Sequence, residues 1–600
     1  MEFFNLNMLF QNRVRRYGNR VFVIRKEEGR WKDLSWNEVS ENVKRISLGL
    51  ISLGLQKGDR VAILSETRAE WLFSYLGILA SAGVLAPIYH TNSPDQCRYV
   101  INDSGSRFVF AEDQEQADKI LAHWEDMPTL EKMIVFERYK LSDDLRLMPF
   151  KKLRALGLEW EKTRGDREYD ERSNGVRPGE LSALVYTSGT TGRPKGAMIT
   201  HQNLLASAEI LHEVLPTTEK DRGLAFLPMA HVAEMLLFWV RVFAGQHFAY
   251  AEDVFTLPRD IIEVEPTFFM STPRFFERYY NQIWGLIEDA PWLRKLVIDL
   301  SLQIGSRVRD HKEKKTRIPF TLTVLYWLSY CVTFRKIRKM FGGRIKTFLS
   351  AGAPIASKIV HFFAAVGLPI YEAYGLTETT ASGTYNNPQA YRFGSVGRPG
   401  RGIQVKLDED GEILIKSPSN CLGYHNQPEK TAELFHNGWL RTGDVGYFDQ
   451  EGFLFITDRK KDIIINSSGK NITPSYIENL IKTSRYISQI VVYGDGLPYV
   501  SALITLDETE TVKYARDKRI VYTGFADLTQ KPEIAELIDQ EIKARNKELS
   551  HPEQIRRFTI LEEELRQDDE EVTPTMKVKR QILAERYGDK IKMMYRKKSE

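Results

Sequence analysis

Short apolar runs alternate with longer amphipathic segments near the start of the chain. The apolar runs are residues 60–64, 84–88 and 107–111, and each predicts a buried strand. Residues 69–82 and 98–103 predict the helices that lie between these strands. Strands that alternate with helices form a parallel sheet covered by helices, so we expect this architecture. Ligands of such sheets bind at the carboxyl ends of the strands.

The middle of the chain continues the alternation with less regular spacing. Residues 203–211 predict a helix, residues 224–228 and 346–350 predict strands, and residues 280–345 are helical and basic. Residues 160–178 are charged and polar, so we expect an exposed connection there.

The pattern changes after residue 394, where Gly and Pro separate short alternating runs such as residues 411–416. This spacing predicts a small β subdomain. Nearer the C-terminus we expect two strands at residues 490–493 and 500–505, and helices at residues 475–481, 509–517 and 532–549.

A chain of 600 residues is too long for one hydrophobic core, so two or more domains are expected. The net charge of +4 is small for this length and gives no reason to propose nucleic acid as a partner. Three scattered cysteines without a CxxC pair favour neither a disulfide framework nor a zinc ribbon, and they suggest a reducing compartment. The first residues lack a basic region followed by an apolar core, so we expect no secretory signal.

Residues 318–334 (IPFTLTVLYWLSYCVTF) are uncharged and lie between two basic clusters. The segment is shorter than the span of about 20 residues that crosses a bilayer. A buried or amphipathic domain helix is the main interpretation. An interfacial helix on an anionic leaflet is the next, and a true membrane span is the least favoured.

Residues 186–196 (YTSGTTGRPKG) follow an apolar run and combine glycines, hydroxyls and two cations. Glycines let backbone N–H groups approach a phosphate, hydroxyls donate to phosphate oxygens or bind magnesium, and Lys195 adds a point charge. The string is not a Walker A loop, because Lys195 follows Pro194 and no Ser or Thr comes next. A turn of this composition is by itself often only a loop.

Other strings also follow predicted strands. His231 and Glu234 follow residues 224–228, and they could resemble a metal pair, but no third ligand is evident and we do not expect zinc. Small residues at 351–354 would let a flat ring lie against the backbone. An acidic residue such as Glu378 is usually solvated after a strand, yet a carboxylate is what magnesium between phosphates requires.

Five strings, taken in order, resemble the motifs of the adenylate-forming enzymes, which include acyl-CoA synthetases, adenylation domains and luciferases. They are residues 186–196, 229–234, 374–380, 438–444 and 458–465. Within that superfamily, residues 336–354 and the ending TPTMKVKR resemble the long-chain acyl-CoA synthetase branch. Some long-chain members place a gating tryptophan where this chain has Met235, so the acyl chain length is left open.

The resemblance implies an α/β fold with two unequal domains. Residues 1–458 would form a large N-terminal domain of helix-covered mixed or parallel sheets with a small β subdomain, holding the ATP and acyl sites. Residues 459–600 would form a smaller, mobile α+β C-terminal domain with the catalytic lysine and a loop that faces coenzyme A. Lys461 matches the pivot position between them.

The resemblance also implies roles for individual residues. The proposed catalytic residues are Lys577, His231, Thr190 and Glu378, and the proposed magnesium ligands are Thr190 and Glu378. His231 would line the acyl-carboxylate site, Tyr374 would stack on adenine, Thr377 would contact phosphate, and Asp444 would accept the ribose hydroxyls. The remaining nucleotide- and coenzyme-binding residues would be Thr187, Ser188, Gly189, Thr191, Gly192, Lys195, Gly352, Ala353, Pro354, Gly375, Arg459, Gly469 and Lys470.

The implied reaction is ATP-dependent activation of a long-chain fatty acid to an acyl adenylate, followed by transfer to coenzyme A. The implied ligands are the fatty acid, ATP, Mg²⁺ and coenzyme A. The closest alternative is an acyl-AMP ligase that passes its product to a carrier-protein thiol. A non-catalytic nucleotide sensor on the same fold is a second alternative. We expect a cytoplasmic location, with peripheral contact at the inner face of the membrane as a further option.

Overall fold

The structure is a computed structural model. It describes residues 3–137, 144–187, 193–253, 255–467, 470–566, 569, 571–573 and 577–596. Within these ranges the chain is a mixed α/β protein in which helices cover several sheets. The predicted fold class is therefore confirmed.

The first part of the chain builds a seven-stranded sheet in the order β7-β6-β5-β3-β4-β8-β9. Its strands are parallel except for β9, which returns antiparallel to β8. The strands predicted at 60–64, 84–88 and 107–111 are confirmed as β3, β4 and β5. The elements in chain order are α1 Leu6–Tyr17, β1 Val21–Glu27, β2 Arg30–Ser35, α2 Trp36–Ser52, β3 Arg60–Leu64, α3 Ala69–Ala80, β4 Val84–Ile88, α4 Pro94–Ser104, β5 Ser106–Ala111, α5 Gln114–Leu121, β6 Lys132–Val135, β7 Leu147–Pro149, α6 Phe150–Arg164, α7 Arg167–Asn174, β8 Leu181–Thr187 and β9 Lys195–Thr200.

Residues 160–178 are mostly exposed, as predicted, but they are helical over most of their length. Helix α6 continues to Arg164, and α7 occupies most of the remaining stretch. Tyr169 and Ser173 of α7 are buried, and the amides of Asn5 and Asn7 donate to the carbonyl oxygen of Ser173. A short helix rich in charge was missed because its few inward contacts come from distant parts of the chain.

Two further sheets follow. One has the order β10-β11-β1-β2, and the other has the order β12-β13-β14-β15-β16 with β12, β13 and β14 parallel. The elements are α8 His201–Val214, β10 Arg222–Ala225, α9 Val232–Ala244, β11 His247–Tyr250, α10 Leu257–Val264, β12 Phe268–Ser271, α11 Pro273–Glu288, α12 Trp292–Glu313, α13 Phe320–Ser329, α14 Arg335–Lys339, β13 Thr347–Ser350, α15 Ser357–Ala365, β14 Ile370–Tyr374, β15 Thr384–Tyr385 and β16 Arg398–Pro399.

The predicted small β subdomain is confirmed as a five-stranded antiparallel sheet in which β20 pairs with β18, β19 and β21. The pairing of β20 with β21 sets Asp444 opposite Arg459. The elements are β17 Gln404–Leu407, β18 Glu412–Lys416, α16 Pro428–Leu434, β19 Phe435–His436, β20 Trp439–Phe448 and β21 Leu454–Arg459.

The last part of the chain has its own apolar clusters, formed by residues from Ile464 onward. Its three-stranded sheet has the order β24-β25-β26. Ion pairs join it to the end of α11, with Arg485 Nη1 2.8 Å from Glu288 and Lys513 Nζ 2.6 Å from Asp289. The elements are β22 Ile464–Ile465, β23 Asn471–Ile472, α17 Pro474–Ile481, β24 Ile487–Tyr493, β25 Val500–Leu506, α18 Glu508–Lys518, α19 Phe525–Thr529, α20 Pro532–Asn546, β26 Ile555–Ile560, α21 Arg580–Arg586 and α22 Gly588–Tyr595.

Residues 318–334 are helical, as α13 followed by a π-helical turn at Tyr330–Phe334. One narrow side of this segment is buried and the rest is exposed, which fits the amphipathic form of the main interpretation and not a fully buried helix. Among the described residues, no helix is both long enough and apolar enough to cross a membrane.

Candidate active site

The carboxyl ends of strands from two sheets, together with β20 and the C-terminal region, surround one cavity of about 2370 Å³. Strand β8 ends there at Thr187, β13 at Ser350 and β14 at Tyr374. This is the edge at which parallel sheets bind their ligands. Twelve predicted site residues line the cavity: Thr187, His231, Gly352, Ala353, Pro354, Tyr374, Gly375, Thr377, Glu378, Asp444, Arg459 and Lys577.

The structure describes only the two ends of the predicted phosphate loop. Ser188, Gly189, Thr190, Thr191 and Gly192 lie outside the described residues, and so does Gly469. The described ends of the loop are Thr187, at the cavity, and Lys195, the first residue of β9.

Lys195 lies beside an aromatic ring and near the predicted magnesium ligand. Its Nζ is 4.8 Å from the centroid of the Tyr424 ring, which is cation–π distance. Burial, with the charge of Lys430, lowers the pKa of Lys195, whereas the carboxylate of Glu378 acts in the opposite direction. The Lys195 cation and the Glu378 carboxylate are therefore close enough to interact electrostatically.

Tyr424 is a site residue that the sequence did not single out. Its hydroxyl donates a hydrogen bond of 2.6 Å to Oε1 of Glu378, while the Cys421 N–H donates to the Glu378 carbonyl at 2.8 Å. The segment before α16 thus holds Glu378 from both its side chain and its backbone. No sequence signal marks this contact, because Tyr424 lies 46 residues after Glu378.

Glu372 was also missed, although a signal was available. It lies two residues before Tyr374 on β14, and side chains two apart on a strand point to the same face. It lines the cavity, and burial raises the pKa of Glu372 to about 8, partly offset by the Gly394 N–H that donates to it at 3.2 Å.

Asp444 is held by two partners. The Tyr374 hydroxyl donates to its Oδ2 at 2.5 Å, and Arg459 Nε lies 3.3 Å from Oδ1. Burial raises the pKa of Asp444, and the Arg459 cation opposes that change. The carboxylate therefore has a fixed orientation at the cavity wall.

His231 is the N-cap of α9, where its Nδ1 accepts a hydrogen bond of 3.1 Å from the Ala233 N–H. Burial and the positive charge of Lys577 lower the pKa of His231 to about 4, so the ring is neutral near pH 7. Glu234 forms a buried ion pair with Arg241, in which Oε1 of Glu234 accepts a hydrogen bond of 2.5 Å from the guanidinium. This contact leaves His231 and Glu234 unsuited to act as a metal pair.

Lys577 lines the cavity and is hydrogen-bonded through its backbone to Thr573. The Thr573 N–H donates to the Lys577 carbonyl at 2.8 Å, and the Lys577 N–H donates to Thr573 Oγ1 at 3.0 Å. The side chain stays accessible inside the cavity. Desolvation of the ammonium group by the surrounding protein and the Arg459 cation lower the pKa of Lys577, while the carboxylates of Asp444 and Glu378 favour the charged form.

Two of the described site candidates, Lys195 and Lys470, do not line the cavity, and neither does the predicted pivot Lys461. Lys470 is exposed, and its N–H donates to Oδ1 of Asn466. Lys461 is also exposed, directly after Lys460, which pairs with Asp410 and Glu412. The roles predicted for Lys470 and Lys461 both require the C-terminal region to move.

Parallel strands end at one cavity, and the C-terminal region supplies a lysine to it. This arrangement is that of an adenylate-forming enzyme. The chain belongs to the AMP-binding enzyme family. The model of the AMP-binding enzyme matches residues 10–425, and the model of the AMP-binding enzyme C-terminal domain matches residues 461–599. The resemblance seen in the sequence is confirmed.

Among curated relatives, the long-chain-fatty-acid–CoA ligase FadD15 of Mycobacterium bovis is 33% identical over 96% of this chain and 94% of its own length. The long-chain-fatty-acid–CoA ligase ACSBG2 of Xenopus laevis is 29% identical over 98% of this chain and 83% of its own length. Among solved structures, the A domain of carboxylic acid reductase from Segniliparus rugosus, with AMP and a carboxylic acid, has a TM-score of 0.73. It is 18% identical, with 99% of this chain and 94% of that chain covered, and it supports the fold alone.

Proposed function

We propose that this protein is a long-chain fatty acid–CoA ligase that forms AMP. In the first step a fatty acid carboxylate attacks the α-phosphorus of ATP, and pyrophosphate leaves. In the second step the thiol of coenzyme A attacks the acyl adenylate, and AMP leaves. The observation that carries the proposal is the presence of Lys577 in one cavity with Thr187, His231, Glu378 and Asp444. The full-length similarity to curated long-chain fatty acid–CoA ligases supports it.

The first step brings two anions together, so catalysis requires positioning and charge neutralisation. In our proposal Asp444 accepts the ribose hydroxyls, Tyr374 packs on adenine, and Gly352, Ala353 and Pro354 form a flat wall beside the base. Arg459 faces the ribose and phosphate side of the nucleotide. Contacts with Tyr374 and Arg459 orient Asp444, and a preorganised carboxylate lowers the cost of binding.

Lys577 would bridge the attacking carboxylate and the α-phosphate as negative charge builds up between them. Loss of one such donor commonly costs about 3 to 4 kcal/mol of transition-state stabilisation. The neutral ring of His231, with its Nδ1 bound to the Ala233 N–H, would line the acyl-carboxylate site without adding charge. Thr187, Ser188, Gly189, Thr191, Gly192, Lys195, Gly375 and Thr377 would hold the phosphates.

The donor set at Glu378 fits a magnesium ion that is shared with substrate phosphates. Magnesium is usually held by one or two carboxylates together with phosphate oxygens. Tyr424 donates to Oε1 of Glu378 and fixes the plane of this carboxylate at the cavity wall. We propose Glu378 and Thr190 as the protein ligands, and the ion would neutralise phosphate charge.

The second step needs a different group at the acyl adenylate. We propose that residues 459–600 form a mobile domain, separate from residues 1–458, that turns at Lys461. This rotation would withdraw Lys577 and bring Gly469 and Lys470 to the pantetheine arm of coenzyme A. The exposed position of Lys470, away from the cavity, is compatible with a second arrangement.

Long-chain fatty acids partition into bilayers, so we also propose that the protein works in the cytoplasm in peripheral contact with the inner face of the membrane. The exposed apolar residues of α13 support this contact.

Exchange of labelled pyrophosphate into ATP, measured across a series of fatty acids, tests the first step. Addition of coenzyme A should then release AMP and acyl-CoA. Exchange without thioester formation on coenzyme A, but with transfer to acyl carrier protein, would replace the proposal with the acyl-AMP ligase. Absence of fatty-acid-dependent exchange would favour the non-catalytic sensor.

A further inference from the structure

An outward-facing helix surface without any charge lies on the side of the protein formed by α12 and α13. Phe320 is 82% exposed, Trp327 is 62% exposed and Val332 is 55% exposed. Val324 and Leu328 lie between them on the same helical side, because residues three and four apart are neighbours on a helix. We call these five residues the α13 face. Exposed apolar residues of this number on one element mark an interaction site.

The α13 face is fixed in its outward position by the opposite side of the same segment. Leu322, Ser329, Thr333 and Phe334 are buried. The hydroxyls of Thr333 and Ser301 are 3.1 Å apart, which ties the π-helical turn to α12. The inner side is already packed, so a rotation of the helix cannot bury the outer side.

Basic residues lie at both ends of the α13 face. Lys314, Lys315 and Arg317 precede it, and Arg335, Lys336 and Lys339 follow it; all six are exposed. Among the residues that the structure describes, none of these six forms a salt bridge. Arg338, by contrast, donates to the carbonyl oxygens of Gly367 and Ile345 and belongs to the fold.

We propose that the α13 face inserts into the surface of an anionic bilayer while the six flanking cations bind lipid headgroups. An uncharged apolar face between two clusters of Lys and Arg is typical of interfacial helices, and each cluster gains from a negative surface potential. This inference deepens the membrane contact proposed above and rests on it, but it does not depend on the ligase reaction.

The charges also argue against a second copy of the chain as the partner. Both ends of the α13 face are basic, so a symmetric dimer would place cations against cations whether the two helices ran parallel or antiparallel. The apolar residues at the start of α12 are left out of the proposed surface. Trp292 follows three residues after Asp289, whose ion pair with Lys513 joins the C-terminal region, so the start of α12 lies beside that contact.

Vesicle co-sedimentation with the full chain tests the inference. The probes are vesicles of phosphatidylcholine alone and vesicles that also contain phosphatidylglycerol. We expect at least about tenfold stronger binding to the anionic vesicles, with a decrease as salt rises, because exposed charges are screened. The triple variant Phe320→Ser, Trp327→Ser, Val332→Ser should lose binding to both vesicle types by at least about tenfold.

A charge variant separates the two contributions. Lys314→Gln, Lys315→Gln, Lys336→Gln, Lys339→Gln should lose the preference for anionic vesicles and keep the weak binding to neutral ones. The matched apolar control is Phe255→Ser with Val521→Ser, because both residues are exposed outside the α13 face. The matched charge control is Lys151→Gln with Lys152→Gln. Both controls should bind as the unchanged protein does.

Equal vesicle binding by the triple variant and the unchanged protein would overturn the inference. Sedimentation velocity without vesicles would also overturn it if the unchanged protein were a dimer and the triple variant a monomer. Pyrophosphate exchange with a short, water-soluble acid, measured on the same samples, shows whether each variant is folded and active. Lost vesicle binding with retained exchange supports the inference, whereas absent exchange in every sample would count against the ligase reaction only.

Discussion

The hydroxyl of Tyr374 donates a hydrogen bond of 2.5 Å to Oδ2 of Asp444, across 70 residues of sequence. Tyr374 ends β14 of one sheet, and Asp444 lies within β20 of another. The bond therefore joins the wall proposed for adenine to the carboxylate proposed for ribose. Burial and the adjacent carboxylate both raise the pKa of Tyr374, so the phenol remains a donor at every physiological pH.

Tyr374→Phe should weaken ATP binding while leaving the ring in place. A hydrogen bond to a charged group contributes about 1.5 to 3 kcal/mol, so the apparent dissociation constant for ATP should rise about tenfold or more. Calorimetric titration with ATP measures this rise. Tyr447→Phe is the control, because it removes a hydroxyl from the same cavity without touching Asp444. Unchanged ATP affinity in Tyr374→Phe would mean that Arg459 alone orients Asp444.

Tyr424→Phe should change the dependence of the first step on magnesium. The variant keeps the ring beside Lys195 but removes the donor to Oε1 of Glu378. We expect pyrophosphate exchange to need about tenfold more Mg²⁺ for half-maximal rate, since partners of metal ligands commonly contribute 10- to 100-fold in affinity. Tyr424→Leu, which also removes the ring, should be slower still. An unchanged Mg²⁺ titration in Tyr424→Phe would show that this bond has no role in metal binding.

Lys577→Ala should separate the two half-reactions. Adenylate formation should fall about 100-fold or more, because the only proposed bridge between the two reacting anions is removed. Conversion of a supplied acyl adenylate and coenzyme A to thioester should continue. Stopped assays of each half-reaction measure both rates. Equal losses in the two half-reactions would contradict the account in which Lys577 serves one step only.

The rate of adenylate formation should decrease at alkaline pH as Lys577 loses its proton, which gives the pH–rate profile an alkaline limb. Burial and Arg459 lower the pKa of Lys577, and the proposed role needs the protonated form. The rate should therefore be highest below this pKa and fall as pH rises through it, earlier than the ordinary lysine value of about 10.4 would allow. In Lys577→Arg the limb should disappear from the measurable range, because a guanidinium stays charged.

Ionisation of His231 should cause no change in the rate of adenylate formation between about pH 6 and 8. Its pKa is lowered to about 4, so the ring is already neutral throughout that range. A decrease in rate near pH 6.5 that is abolished in His231→Gln would show that the ring titrates near its usual value.

The order of the elements and the order of the motifs could be read from the sequence. Residues 60–64, 84–88 and 107–111 were predicted as strands, because an apolar run and its bounding turns are encoded by contiguous residues. The helix α7 was not predicted, because the few contacts that hold it come from the N-terminal segment. Local periodicity does not report such distant partners.

The chemical groups of the site can be read from the sequence: a glycine- and hydroxyl-rich loop, single acidic residues after strands, and a lysine near the C-terminus. Which of these groups come together depends on the packing of the domains and sheets. Lys577 interacts electrostatically with Asp444 and Glu378, and the Tyr424 hydroxyl donates to Glu378. These side chains are far apart in sequence and come together where the strand ends of different sheets meet. The outward direction of the α13 face was decided in the same way, because packing against α12 determined which side of an uncharged helix was buried.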